Sequence, residues 1–422
     1  MQNLKKIISH ITLPPVVRVI QTLLDDALVD IEGEALSALE HSGIAAKIKP
    51  GMRIAIAVGS RGLANIPVLA KSVVTWLRGK GAEPFIVPAM GSHGNATAEG
   101  QASLLADLGV TEETTGCPIR SCMDVVMLGR LPNGLGVYID RLAYEEADGI
   151  FVINRVKPHT SFRGRWESGL VKMITIGLGK QVGADSCHTY GFHTMAENLP
   201  AMASISLGKA NILGGLAAVE NASDKTCLLE GVPIERLMDR DAELLAFART
   251  RMPSLPFDQL DVLIIDEIGK NISGCGIDPN VIGRYTVPHI NGGPSISRIV
   301  ALDITEPSHG NSIGMGLADF ITEQFRNKID FEAVYINAMT AASTRGAFTP
   351  MVFPTDFDAI RGAIKASSVT DMGALRMARI RNTLDICELY ATPCMINELV
   401  DRGCVIASTP EDMKFSSEGR LL

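Results

Sequence analysis

RIAIAVGSRGLANIPVLAKSVVTWLRGKGAEPFIVPAMGSHGNAT, residues 53–97, carries the clearest statement of fold in the chain. Its first six residues form a β-rich run that breaks at Gly59-Ser60-Arg61-Gly62. An amphipathic helix pattern follows, NIPVLAKSVVTWLRGKGA, ending in the glycines expected of a helix stop. PFIVPA (84–89) reads as the next strand and MGSHGNAT (90–97) as a loop, with a helix opening at Thr97 and Glu99. Strand, helix, strand is the rhythm of a parallel sheet covered on both faces. It continues through GIFVINRV (149–156), a loop, and a helix pattern near 167–177. Loops after the strand ends of such a sheet face a common crevice where ligands bind. Arg61, His93 and His159 all fall there.

Outward from this stretch, the 422 residues exceed one ordinary core and predict two α/β domains with mainly parallel sheets. RMPSLPFD (251–258) has two prolines and no periodicity, and DVLIID (261–266) then restarts a strand. The expected division is 1–256 for a first domain and 257–396 for a second, with 397–422 a tail that could return to the first. RIVALDI (298–304) and AVYINA (333–338) read as further strands of the second domain.

Apolar residues make up 46% and charged residues 20%, which supplies core enough for a globular protein and excludes disorder. A net charge of −8 argues against a nucleic-acid partner, because phosphate backbones recruit basic surfaces. No apolar run is long enough for a bilayer, and Pro14-Pro15 interrupt the start before a signal-peptide core forms. The expectation is a cytoplasmic protein that does not engage a membrane. A homo-oligomer is left open. The eight cysteines show no CxxC pair and read as reduced, mostly buried thiols; Cys187, next to His188, is the one near candidate chemistry.

Among the histidines, His93 sits in Gly-Ser-His-Gly, where flanking glycines let the backbone turn closely round a ligand. His159 lies among Arg155, Lys157, Arg163 and Arg165, a cluster that reads as a pocket for carboxylate or phosphate. The bland alternative is a solvated charged loop. Lys172, in SGLVKMITIGLGK, has apolar and small neighbours, and burial makes an amine nucleophilic. Lys180, after Gly179, competes with it as a phosphate contact. His188 and His193 are five residues apart, about 140° round a helix, so one of the two is the better candidate ligand.

Taken in order, GSHGNAT, KPHTSFRG, SGLVKMITIGLG and a histidine 16 residues after Lys172 resemble the lactate racemase family. These are racemases and epimerases of 2-hydroxy acids that depend on a nickel-pincer nucleotide. The resemblance covers roughly residues 50–220. It implies two α/β domains with the active site in the cleft between them. It further implies that Lys172 holds the cofactor, pyridinium-3,5-bisthiocarboxylic acid mononucleotide with nickel, and that His188 ligates the metal. His93 and His159 match the two catalytic bases, and Arg61, with Ser60 beside it, the substrate-positioning loop. Arg163 and Lys180 are added as cofactor contacts, and Lys270 as a substrate contact. The implied partners are a small organic acid and cofactor-maturation enzymes.

The chemistry is coherent on its own terms. Inverting a hydroxyl-bearing carbon by oxidation and re-reduction needs a hydride acceptor, which no side chain supplies. It also needs a proton acceptor on each face, a cationic clamp for the carboxylate, and exclusion of water. Three departures concern the substrate. Val58 and Gly62 replace the family's usual aspartate and proline around the arginine. Gly94 replaces an arginine after the first histidine, and where a glycine pair and lysine are usual the stretch DEIGKNISGCGIDPN has Lys270, Asn271 and Asp278 as its nearest polar candidates. A substrate other than lactate is therefore expected. Two rivals stand: a zinc or iron hydrolase or lyase using His93, His159 and His188 jointly, and a non-catalytic protein binding an organic acid or nucleotide.

Overall fold

The computed structural model describes residues 2–59 and 63–422. The chain divides into two compact units, 25–252 and a second made of 1–24 with 253–422. The first strand, β1 (Val17–Ile20), belongs to the second unit.

In the 25–252 unit the strands are β2 (Arg53–Val58), β3 (Glu83–Pro88), β4 (Val125–Arg130), β5 (Gly136–Asp140), β6 (Gly149–Arg155), β7 (Ile212–Glu220) and β8 (Thr226–Pro233). Five of them form a sheet in the order β3-β2-β6-β7-β8, parallel except for β8, while β4 and β5 make a separate hairpin. The pleat explains why both faces are covered. Ile54, Ile56 and Val58 join a core with Leu69, Val73 and Leu77 of the helix Ile66–Gly79. Ala55 and Ala57 point the other way, into a core with Leu170, Val171, Met173 and Ile174. Alternate positions of one strand thus serve two hydrophobic layers. Small alanines on the second face let the 170–177 segment lie close to the sheet.

In the second unit the strands are β9 (Gln259–Ile268), β10 (Ser295–Ile304), β11 (Phe320–Thr322), β12 (Met351–Phe353), β13 (Met377–Ile380), β14 (Glu388–Ala391) and β15 (Val405–Ile406). Their order with β1 is β12-β11-β10-β9-β13-β14-β1-β15. The run from β12 to β13 is parallel, and β14, β1 and β15 are added antiparallel.

Three expectations change here. Residues 1–24, read as part of the first domain, contribute β1 between β14 and β15, with Val17 opposite Ala391 and Val19 opposite Ile406. The 397–422 tail does not return to the first domain either. It supplies β15, and its Glu411 bridges Val16. Finally, AVYINA is helical, inside Phe331–Thr340. Asp330 caps that helix by accepting from the Ala333 N–H (3.0 Å), and Val334 and Ala338, four apart, are its buried positions. The cap and the four-residue spacing outweigh the β-branched composition.

Candidate active site

The loops after β2, β3 and β6 leave the carboxyl edge of the first sheet. After β2 the chain runs to β3 on one side and only later to β6 on the other, so β2 and β6 flank a switch point of the kind where α/β folds bind ligands. Ser60 and Arg61 belong to the β2 loop and lie outside the described residues. At its start Gly59 lies close to Met173: a Cβ there would be 2.8 Å from Met173 Cε and would push the end of that side chain aside. The β2 loop therefore begins against the residue next to Lys172.

Lys172 ends a short helix, Leu170–Lys172, that widens at once into a π-turn, Met173–Gly177. The Leu178 N–H donates five residues back, to Met173 O at 2.9 Å, which defines the widening. Such turns recur at functional sites because they re-aim side chains. Two groups fix the start of the helix. Asn154, from β6, donates to Gly169 O at 2.7 Å. Asp241, buried on the helix Leu237–Arg249, accepts from the N–H groups of Leu170 (2.7 Å) and Val171 (3.4 Å). Burial pushes the Asp241 carboxyl up to about 6, against the pull of those two donors. Lys172 itself is half-buried between buried Val171 and Met173, and its charge acts on both Cys187 and His188.

His188 closes the helix Lys180–His188. Its Nδ1 lies 2.7 Å from Ala184 O. A carbonyl only accepts, so Nδ1 carries the proton and Nε2 presents a lone pair. Burial, first, and the Lys172 charge hold the imidazole below its usual range, against the Ala184 carbonyl and Asp185. A neutral ring with a carbonyl-bound N–H is the usual state of a metal-ligating histidine.

His159 is the opposite tautomer. It is 8% exposed, and its Nδ1 accepts from the Ser161 N–H at 3.0 Å, which leaves the proton on Nε2. The 157–168 loop that carries it is closed by reciprocal backbone bonds between Lys157 and Ser168. Buried Glu167 organises the loop from inside, accepting from the His159 N–H (2.6 Å) and the Gly164 N–H (3.1 Å) and pairing with Arg249 (2.7 Å). Phe192 joins the two histidines, its ring centroid 5.6 Å from that of His188 and 6.0 Å from that of His159. His159, His188 and Lys172 therefore share one neighbourhood. His93 is exposed on the β3 loop, which reaches the same segment from another side: the Gly91 N–H donates to Gly177 O at 3.2 Å. His193 is exposed in the short turn Phe192–Thr194.

Several assignments need correction. Lys180 does not reach toward a cofactor. It is 0% exposed, and its three donor positions are taken by Asp140 (3.0 Å), Gln101 Oε1 (3.1 Å) and Pro88 O. Nor is the basic cluster an open anion pocket. Arg155 pairs with Glu220, and Arg165 with Asp239. Arg163 pairs with Glu167 and donates to the carbonyls of His159 and Phe162, so it shapes the loop. Lys270, expected in the second domain, is found in the second unit, where its Nζ donates to Gly274 O at 2.9 Å; its substrate role stays a proposal. Cys187 is buried and its thiol is pushed up to about 12, chiefly by desolvation, which makes it a packing residue. Among the described residues no three His, Cys, Asp or Glu side chains converge on a metal position. The three-histidine zinc alternative therefore has no geometric support. Among the same residues no helix is long and apolar enough to cross a membrane.

Asp241, Glu167, Gln101 and Phe192 were not singled out by the sequence. Glu167 lies between KPHTSFRG and SGLVKMITIGLG, and Phe192 between the candidate ligands His188 and His193, whereas Asp241 lies 69 positions beyond Lys172 with nothing local to mark it.

Residues 24–198 match the sequence model of a family described as the lactate racemase N-terminal domain. No curated protein matches the chain in sequence. Several solved structures are similar, two of them as follows. A Thermotoga maritima protein has a TM-score of 0.49 at 15% identity, over 77% of this chain and 83% of its own. The lactate racemase apoprotein from Thermoanaerobacterium thermosaccharolyticum has a TM-score of 0.49 at 14% identity, over 88% of this chain and 99% of its own. At such values the structural likeness carries no functional weight.

Proposed function

Because the chain belongs, through residues 24–198, to the lactate racemase family, we propose that it is an isomerase that inverts the hydroxyl-bearing carbon of a 2-hydroxy acid. One observation carries the reading: His188 presents an unprotonated Nε2 beside the half-buried Lys172. That donor set fits a nickel-pincer nucleotide. Imidazole suits a tetragonal nickel ion, so His188 Nε2 would hold the metal and Lys172 the nucleotide. When bound, that group supplies the hydride acceptor that side chains lack.

The chain's own residues supply the rest. His159, with its proton on Nε2, is set to donate to a substrate oxygen; the Ser161 N–H on Nδ1 keeps it in that form. His93 serves the opposite face and starts as the proton acceptor. Arg61 and Ser60, which the sequence resemblance assigns to substrate positioning, are the proposed carboxylate contacts. Phe162 and Phe192 flank His159 and exclude water from it. Arg155, Arg163 and Arg165 are already paired with carboxylates, so the substrate needs no second negative charge. A monocarboxylic 2-hydroxy acid other than lactate suits a loop with Val58 and Gly62 in place of the family's usual residues.

The test uses protein made together with cofactor-maturation enzymes and a panel of chiral 2-hydroxy acids followed by chiral chromatography. Substrate deuterated at C2 should yield inverted product that keeps its label. Complete wash-out into water would mean deprotonation at carbon and would end the hydride reading. Absence of turnover across the panel, in protein shown to contain nickel, would end the isomerase reading itself.

A further inference from the structure

We infer that Gln101 is a positioning residue for His93, and that the buried Lys180–Asp140 pair exists to aim it. The inference rests on the proposed use of His93 as an acid–base group. The β3 loop is poor at holding its own shape. Gly91, Gly94, Asn95 and Ala96 all have positive φ (58°, 65°, 54° and 54°), a region that non-glycine residues enter only when their surroundings compel it. His93 sits in the middle of them.

What compels the loop comes from Gln101, on the helix Ala98–Asp107 and 0% exposed. Its Nε2 donates to Gly91 O at 2.9 Å and to His93 O at 3.3 Å. Both bonds require the amide to face the loop with its nitrogen, and an amide left to itself could flip. Lys180 prevents the flip. An ammonium only donates, so the Gln101 oxygen must turn toward Lys180 Nζ at 3.1 Å. Lys180 is itself fixed by Asp140 at 3.0 Å and by Pro88 O, and it adopts a positive φ of 53° to reach them. Asp140 is anchored in turn by the Ala143 N–H at 2.8 Å.

The clamp joins the parts of the site. Pro88 ends β3, immediately before the His93 loop, and Lys180 begins the helix that ends at His188. The Gly91 N–H bonds to Gly177 O of the π-turn that follows Lys172. One buried polar node therefore sets the histidine loop relative to both proposed cofactor residues. A charged pair with 0% exposure is weak evidence for stability, but it can specify one arrangement over another.

The test separates the two functions of Gln101. Gln101→Glu keeps a partner for Lys180 but can no longer donate to the Gly91 and His93 carbonyls. Gln101→Met removes both roles at similar size and serves if the first variant fails to fold. Hydrogen exchange of the full-length protein should quicken at amides 91–97 and stay at wild-type rates in β2, β6 and β7. In matured enzyme kcat should fall about 100-fold with KM little changed, the mark of a misplaced catalytic group. Wild-type exchange in the loop, or wild-type kcat in Gln101→Glu, overturns the inference. A wild-type protein that never turns over, beside a variant whose loop exchanges faster, overturns the proposed function and leaves the clamp standing.

Discussion

Lys172 and Lys180 lie eight residues apart in one glycine-rich, apolar stretch, and the structure buries one wholly and the other only in part. Lys180 is wholly enclosed, with each donor position taken by Asp140, Gln101 or Pro88 O. Lys172 stops halfway, at the mouth of a π-turn and within electrostatic reach of His188. A fully buried charge is tolerable only when every hydrogen bond is satisfied, and that satisfaction removes it from reactivity. Lys172, half-buried, is exposed enough for a cofactor to reach it. The histidines repeat the contrast across Phe192: His188 bonds through Nδ1 as a donor and His159 through Nδ1 as an acceptor.

The contrast breaks first on activity. Lys172→Ala should abolish turnover and cofactor retention while leaving the melting temperature near wild type, since one half-buried amine adds little to the core. His188→Ala should lose nickel, read by elemental analysis, and His193→Ala should keep it. If the two histidine variants exchange those results, the ligand is His193 and the tautomer argument fails. His159→Ala and His93→Ala should each lower kcat by about 10²–10⁴-fold, the usual worth of a positioned acid or base. Racemisation at wild-type rate in either variant would remove that histidine from the chemistry.

Lys180 should fail in stability instead. Lys180→Met strands Asp140 as an uncompensated buried carboxylate, a change that typically costs about 3–5 kcal/mol. The urea midpoint should therefore fall sharply, in apoprotein as well as in loaded enzyme. A variant as stable as wild type, yet unable to retain cofactor, would return Lys180 to the phosphate role that its position after Gly179 first suggested.

How much of this was legible follows from where each signal is written. Strands β2, β3 and β6 of the first sheet and the strand-end placement of His93 and His159 are local patterns, and they read through; β7 and β8 did not. The difference between the lysines does not, because it depends on Asp140 and Gln101, at sequence distances of 40 and 79 residues. The arginines near His159 look like an anion pocket until Glu220, Glu167 and Asp239, mostly from elsewhere in the chain, neutralise them. The second unit's use of residues 1–24 is a non-local strand pairing with no local mark. AVYINA reads as a strand because its β-branched composition speaks louder than the Asp330 cap before it. The catalytic roles came from family resemblance, and the geometry adds protonation states to them.

The smallest expected effect concerns what holds Lys172 in place. Asp241 caps its helix as a buried carboxylate, and burial raises its folded pKa to about 6. In the unfolded chain the same group titrates at about 3.9. A folded value above the unfolded one means that the native state binds the proton more tightly. The stabilisation from that proton is complete below about pH 4 and is lost as pH rises through about 6. Its ceiling is about 3 kcal/mol, two pKa units at about 1.4 kcal/mol each, with local relaxation reducing it. Asp241→Asn keeps an oxygen for the Leu170 N–H and cannot ionise, so all other carboxylates cancel when the two proteins are compared. The stability difference between the Asp241→Asn variant and wild type should shift in favour of the variant between pH 4 and pH 7. A difference that stays flat over that interval would mean that Asp241 ionises as easily inside the protein as outside. The cap would then rest on an ordinary surface-like carboxylate, and burial would have to be dropped as the reason the Lys172 helix begins where it does.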